Sequence, residues 1–285
     1  MTVRYRRPSL IRKILITIAL ILISIWAIFP IYWAIVVSIK PRAETFSVTY
    51  LSIPFLQFQP TLVNWIEDLR VGELQRAIVN SVVVSTSSSL LALFLGSLAG
   101  YALARFRFQR IPNRDLTVWF LSQRILPPVV VVIPFFLIMK TFGLLDSLLA
   151  LILVYTTFNL PFAVVIMRQM FKEIPDEIEE AALVDGCTHF SAFWRVALPL
   201  ATPALAATFI ICMSFAWNEL LFALMMAQRK AVTLPVFIAG SQQSRGVFFW
   251  FAATRSLIAA APPTFLALLV QPFIVRGLTL GAVKG

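Results

Sequence analysis

The chain has 285 residues, 60% of them hydrophobic and only 13% charged, with a mean hydropathy of +0.88. A water-soluble domain carries about 25% charged residues, so this chain has too few charges to coat a solvent-exposed surface. Its net charge of +11 sits mainly between long apolar runs, and no basic face alternates with base-stacking aromatics; this excludes nucleic acid and points to a lipid bilayer.

The first 13 residues hold Arg4, Arg6, Arg7, Arg12 and Lys13 and no acid, and an uncharged apolar run follows over 14–39. That run is too long for a cleaved signal sequence and reads as a first crossing. About 20 apolar residues span a bilayer as a helix. Five more runs of that kind lie at 77–104, 116–139, 147–167, 203–226 and 249–275; the second of these is interrupted by Arg124, the fourth contains Glu219, and the last has Arg255 near its start. The expected fold is all-α: a polytopic membrane protein of six transmembrane helices over 14–275, with tails at 1–13 and 276–285. Lys and Arg concentrate in cytoplasmic loops. The basic N-terminus, and the loop carrying Arg105, Arg107, Arg110 and Arg114, are therefore expected in the cytoplasm. With six crossings the C-terminus joins them, and 40–76 lies outside.

Prolines recur in the spans, among them Pro127, Pro128, Pro161 and Pro203. In lipid a broken backbone bond must be satisfied by protein or by water in a cavity. Kinks at these sites fit a central pathway, and also ordinary membrane-helix packing. Cys187, Cys212 and the single histidine, His189, are poor material for a disulfide framework or a metal site. The chain has no phosphate-binding Gly-x-x-x-x-Gly-Lys-Ser/Thr loop, so ATP, if it drives this protein, is bound by another chain.

Six of the 13 acidic residues cluster as Glu173, Asp176, Glu177, Glu179, Glu180 and Asp185, on the expected cytoplasmic side. Asp176 is placed to N-cap a short helix, with Glu179 as its capping-box partner. Gly186 ends that helix in the left-handed region, and Thr188 caps a second helix that reaches Leu198 and Pro199. Ile178, Ala181, Ala182 and Asp185 form one stripe at helical spacing, which suits docking into another protein's groove. A solvated acidic loop that touches nothing is the other reading.

The order Glu180-Ala181-Ala182, three residues, Gly186, nine residues, Val196, one residue, Leu198-Pro199 resembles the EAA loop of ATP-binding-cassette importer permeases. Val196 stands where Ile is more usual. Asn80-Ser81, Tyr101-Ala-Leu-Ala-Arg-Phe106, Phe215-Ala-Trp-Asn-Glu219, Thr233-Leu-Pro235 and the ending Arg276 to Gly285 are similar to the second permease of maltose-type carbohydrate importers. The resemblance covers nearly the whole chain.

The resemblance implies a type I importer permease of the bacterial inner membrane. It pairs with a second permease over two ATPase subunits and receives solute from an extracytoplasmic binding protein. ATP and magnesium belong to the ATPase, and this chain holds no cofactor and is not an enzyme. Glu180, Ala181, Ala182, Asp185, Gly186, Leu198 and Pro199 would then form the ATPase coupling loop, about 171–199. Gly281, Ala282, Val283, Lys284 and Gly285 would be a second ATPase contact, against the reading of a frayed terminus. Gln242, Gln243 and Ser244 would reach the binding protein, against the reading of an exposed linker.

Arg124, Trp217, Asn218, Glu219 and Arg255 are the candidates for the substrate pathway, because intramembrane charge usually faces a cavity. Arg255 has the alternative of snorkelling to the outer interface, and Glu219 that of pairing with an arginine inside the bundle. Arginine suits vicinal hydroxyls or anionic groups, so the expected solute is sugar-like and polyhydroxylated, either neutral or acidic. A secondary transporter would need an inverted repeat and more midplane acids. A membrane enzyme would need a convergent His, Cys or carboxylate set. Neither is visible in the chain.

Overall fold

The computed structural model describes residues 10–45, 52–241 and 248–281. Among them every regular element is a helix, and one isolated bridge joins Pro54 and Phe58. The chain divides into two compact units, 1–70 with 242–258, and 71–241 with 259–285.

The first unit is built on α1 (Leu10–Ile39), whose apolar surface is exposed along nearly its whole length. Such a helix needs lipid or another helix as solvent. Its C-terminal end is tied down. Asn64 of α2 (Val63–Leu69) donates to the carbonyls of Ser38 at 3.1 Å and Lys40 at 3.0 Å, closing the end of α1. Trp65 Nε1 donates to Ser38 Oγ, and Arg42 pairs with Glu67. The first turns of α13 (Phe249–Gly281) complete the unit.

The second unit is organised by α3 (Gly72–Arg105) and α6 (Leu148–Glu173), which pack along their length. The buried face of α3 is rich in small residues, among them Ser81, Ser85, Ser88, Ala92, Gly96 and Gly100. In lipid, where apolar burial drives little association, small faces let backbones approach and gain dispersion. A Cβ on Gly100 would stand 2.8 Å from the Arg168 nitrogen, so these glycines set the interhelix distance.

Among the described residues four helices, α1, α3, α6 and α13, are long and apolar enough to cross a membrane by themselves. A fifth crossing forms if α10 (Thr202–Trp217) is joined to the 189–200 stretch before it, across a 78° bend. The expected span 116–139 is not one helix. It splits into α4 (Asn113–Ser122) and α5 (Pro128–Thr141). Pro127 and Pro128 have no N–H to donate, and a proline pushes the residue before it out of the helical region, so the helix stops ahead of them. The expected span 203–226 also breaks, between α10 and α11 (Leu221–Met226), because the Glu219 side chain accepts from the backbone N–H of Phe222 and Ala223 and starts a new helix.

The opposite end of this unit is pinned by Asp146, in the turn between α5 and α6. Its carboxylate accepts backbone N–H bonds from Gln228, Arg229, Lys230 and Ala231. Burial alone would raise its pKa; the four donors outweigh that and hold it at about 2. The carboxyl of an unfolded chain titrates near 3.9, so the stabilisation is complete above that pH and is lost as pH falls towards about 2. Hydrogen exchange at 228–231 should therefore keep its protection from pH 7 to about 4 and lose it below; Asp146→Ala should remove it at every pH.

Candidate functional site

The acidic stretch folds as α7 (Asp176–Val184), flanked by Pro175 and Gly186. Its C-terminus is as expected. Gly186 lies at φ +91°, where an L side chain is strained, and its N–H donates to the Leu183 carbonyl while that of Cys187 reaches the Ala182 carbonyl. These two bonds satisfy carbonyls that the helix end leaves open. Thr188 caps α8 (His189–Ala192) by accepting from Ser191 N. A π-helical turn (Phe193–Ala197), α9 (Leu198–Leu200) and the bend at Ala201 then lead into α10.

The N-terminus of α7 differs from the capping-box expectation. The residue before the helix is Pro175, with no side-chain cap, and Asp176 is already inside the helix. Glu179 turns away from the helix start because it has stronger partners. It accepts from Tyr101 Oη at 2.7 Å and from Arg105 Nε and Nη2 at 2.9 and 2.7 Å. Arg105 also donates to the Ile174 carbonyl and pairs with Asp176. The Arg105 and Glu179 side chains are 11% and 7% exposed, whereas Asp176 is 72% exposed. The Glu179 pair is thus charge-assisted and shielded; the Asp176 pair is a surface contact worth about 0–1 kcal/mol. The Tyr101 ring packs on Phe171 and Phe193, so the clamp sits on an aromatic floor shared by α3, α6 and the π turn.

The clamp fixes which face of α7 is bare. Glu180, Ala181, Asp185 and Gly186 are exposed and Ala182 is half-buried. Ile178 and Phe190 are exposed as well, and Val184 is 87% exposed. Leu198 packs back against the Tyr101 cluster, and Pro199 lies exposed at the elbow. The loop residues singled out in the sequence therefore divide into an outward group on α7 and a hinge group at 198–199. The sequence reading missed Tyr101, Arg105 and Glu179. Their signal was an arginine and a tyrosine one helical turn apart at the end of a span, with an acid on the facing loop.

The intramembrane candidates divide too. Arg124, at the break between α4 and α5, donates to the Phe158 carbonyl at 3.1 Å and lies over the rings of Phe162 at 4.2 Å and Phe215 at 5.3 Å. It lines a cavity of about 170 Å³ together with Tyr155, Asn159, Phe215, Glu219 and Phe222. Trp217 is buried and donates to the Ala259 carbonyl, and Asn218 closes α10 by donating to the Ser214 carbonyl; neither lines that cavity. Arg255 is not at the cavity. It grips the fully buried Asp68 through Nε at 3.0 Å and Nη2 at 2.5 Å, within the first unit. A buried carboxylate on α2 offers this fork-shaped guanidinium a two-oxygen partner. Glu219 has no arginine partner among the described ion pairs and serves backbone N–H groups. Gln242, Gln243, Ser244 and Ala282 to Gly285 lie outside the described residues, and Gly281 ends α13.

A bundle of apolar helices with one short amphipathic helix held at its end is the architecture of a membrane component. The comparisons place it further: residues 92–280 match the family of binding-protein-dependent transport system inner membrane components, and the chain belongs to that family. It is 32% identical to the trehalose/maltose transport system permease protein MalG of Thermococcus litoralis, over 98% of this chain and 99% of that one. It is 36% identical to the trehalose transport system permease protein SugB of Mycobacterium tuberculosis, over 91% and 93%. The fold matches a chain of a bacterial ABC transporter involved in the import of the acidic polysaccharide alginate, with a TM-score of 0.76 over 95% and 99% of the two chains at 21% identity. The chain is a membrane-embedded permease subunit of an ABC importer, and ATP hydrolysis belongs to a separate subunit.

Proposed function

We propose that this chain carries a sugar-like solute across the cytoplasmic membrane and takes its driving force through α7. The observation that carries this reading is a helix clamped on one side by Glu179 and bare on the other at Glu180, Ala181, Val184 and Asp185. A short helix is marginal alone; one held by its rear face presents a firm contact to a groove in an ATPase subunit. The sugar class is supported by the trehalose, maltose and diacetylchitobiose systems named among its relatives. Counting α4 with α5 as one broken crossing gives six crossings and brings both tails to the basic, cytoplasmic side. The rest of the assembly follows the family plan: a second permease, two ATPase subunits and an extracytoplasmic binding protein. The tail from Gly281 to Gly285 adds a second ATPase contact, and Gln242, Gln243 and Ser244 meet the binding protein.

The test uses the assembled importer in proteoliposomes. Glu180→Lys puts a cation on the bare face, and Gly186→Val forces a β-branched residue into the left-handed region. Both should insert normally, and uptake should fall tenfold or more while ATP hydrolysis continues or the ATPase dissociates. Wild-type uptake in both variants would overturn the coupling assignment.

A further inference from the structure

We infer that the cavity between Arg124 and Glu219 is a binding subsite for one ring of a neutral, hydroxyl-rich sugar. The inference rests on the permease reading and names the substrate chemistry of this chain. Arg124 sits where a span is broken, against the rings of α6 and α10, and none of the described ion pairs gives it a carboxylate. A guanidinium has five donors, and the Phe158 carbonyl takes one at 3.1 Å. Glu219, in the same lining, accepts two backbone N–H groups and has lone pairs left over. The Tyr155 hydroxyl is buried next to Glu219, also in the lining, with no partner in good hydrogen-bonding geometry. Donor, acceptor and hydroxyl thus converge on one space.

Tyr155 is buried and Arg124 and Glu219 are half-buried; polar groups shielded in this way are satisfied by each other, by water or by a ligand. Here the remaining walls choose among these. Phe158, Phe215 and Phe222 line the cavity with aromatic carbon, which suits the C–H side of a sugar and on which water gains nothing. The volume of about 170 Å³ equals roughly five or six waters' share of the liquid, room for a single ring. The charges set the sign. A solute carboxylate drawn to Arg124 would share the cavity with Glu219, and a solute ammonium drawn to Glu219 would share it with Arg124. A neutral ring satisfies both, with hydroxyls accepting from Arg124 and donating to Glu219. Arg124 also lines a second cavity of about 180 Å³ with Trp119, Gln123 and Phe135, which gives a ring leaving the first one a neighbouring space.

The experiment follows uptake of four labelled probes by the assembled importer with its binding protein: trehalose, maltose, N,N′-diacetylchitobiose and a diuronate. Wild type should take up at least one of the neutral disaccharides. Arg124→Gln and Glu219→Gln should each lower that uptake tenfold or more, raising KM for transport, while still copurifying with the ATPase. Should either variant fail to assemble, Tyr155→Phe, which removes one oxygen without changing the packing volume, should still lower uptake several-fold. Unchanged uptake in the assembled variants overturns the subsite. Wild-type uptake of the diuronate alone, or of none of the neutral probes, overturns the substrate class. A wild-type chain that does not copurify with an ATPase overturns the permease reading itself.

Discussion

Glu179→Ala should strip Arg105 and Tyr101 of the carboxylate they share and loosen α7 from α3. Removing one partner of a shielded ion pair costs about 3–5 kcal/mol; Arg105 keeps Asp176 and the Ile174 carbonyl, which puts the cost at the lower end, about 3 kcal/mol. That is a large part of the 5–15 kcal/mol that holds a typical domain together. The loss should fall first on the local equilibrium in which α7 peels away from the bundle. Hydrogen exchange at 176–184 should accelerate by two orders of magnitude or more, and uptake should drop while the α3–α6 core keeps its protection. Asp176→Asn is the control. Its side chain is 72% exposed, so its loss should cost under about 1 kcal/mol and leave uptake near wild type. Glu179→Ala with normal uptake and unchanged exchange would show that the clamp is ornamental to coupling, and that force enters only through Leu198, Pro199 and the bend into α10. A double cycle with Arg105→Ala measures the pair directly: the two changes together should cost much less than their sum.

Much of this arrangement was readable from sequence because its signals are local. Gly186 ends α7 and Thr188 starts α8 through bonds to residues within five positions, the range over which a residue type dictates backbone geometry. The long apolar runs mark α1, α3, α6 and α13, since lipid imposes a length on any helix that crosses it. The failures lie where a distant partner outbids a local one. Glu179 looked like a capping-box residue, but a charge-assisted bond to Arg105, 74 positions away, is stronger than a bond to a backbone N–H. The adjacent Pro127-Pro128 was visible, yet hydropathy counts apolar residues without asking whether their backbone can pair, so the break at Arg124 was read as an interruption of one helix. Arg255 does lie in a helix long and apolar enough to cross a membrane; what stayed hidden was its partner, an acid 187 positions earlier on a short helix in a segment that hydropathy passes over.

That last pair gives the second large effect. Asp68→Ala should leave the Arg255 guanidinium buried with its best acceptor gone, at a cost of about 3–5 kcal/mol. The damage should be confined to the first unit, where α2 and the start of α13 are held by this contact, and should appear as a lower melting temperature and poor yield of the assembled importer. Arg255→Lys should do nearly as much harm, since an ammonium cannot make the forked contact to both carboxylate oxygens. The deciding variant is the double replacement Asp68→Leu with Arg255→Leu. A shielded ion pair exchanged for apolar side chains is often neutral or stabilising, because two desolvation costs disappear along with one attraction. If Arg255 serves only the fold, the double variant should recover yield, melting temperature and transport together. If Arg255 also touches the solute, yield and melting temperature should recover while uptake stays at least tenfold down. Recovery of all three would leave Arg124 and Glu219 as the intramembrane charges that meet the cargo. This division follows from burial and pairing, since a charge already satisfied by its own protein has little left to offer a passing sugar.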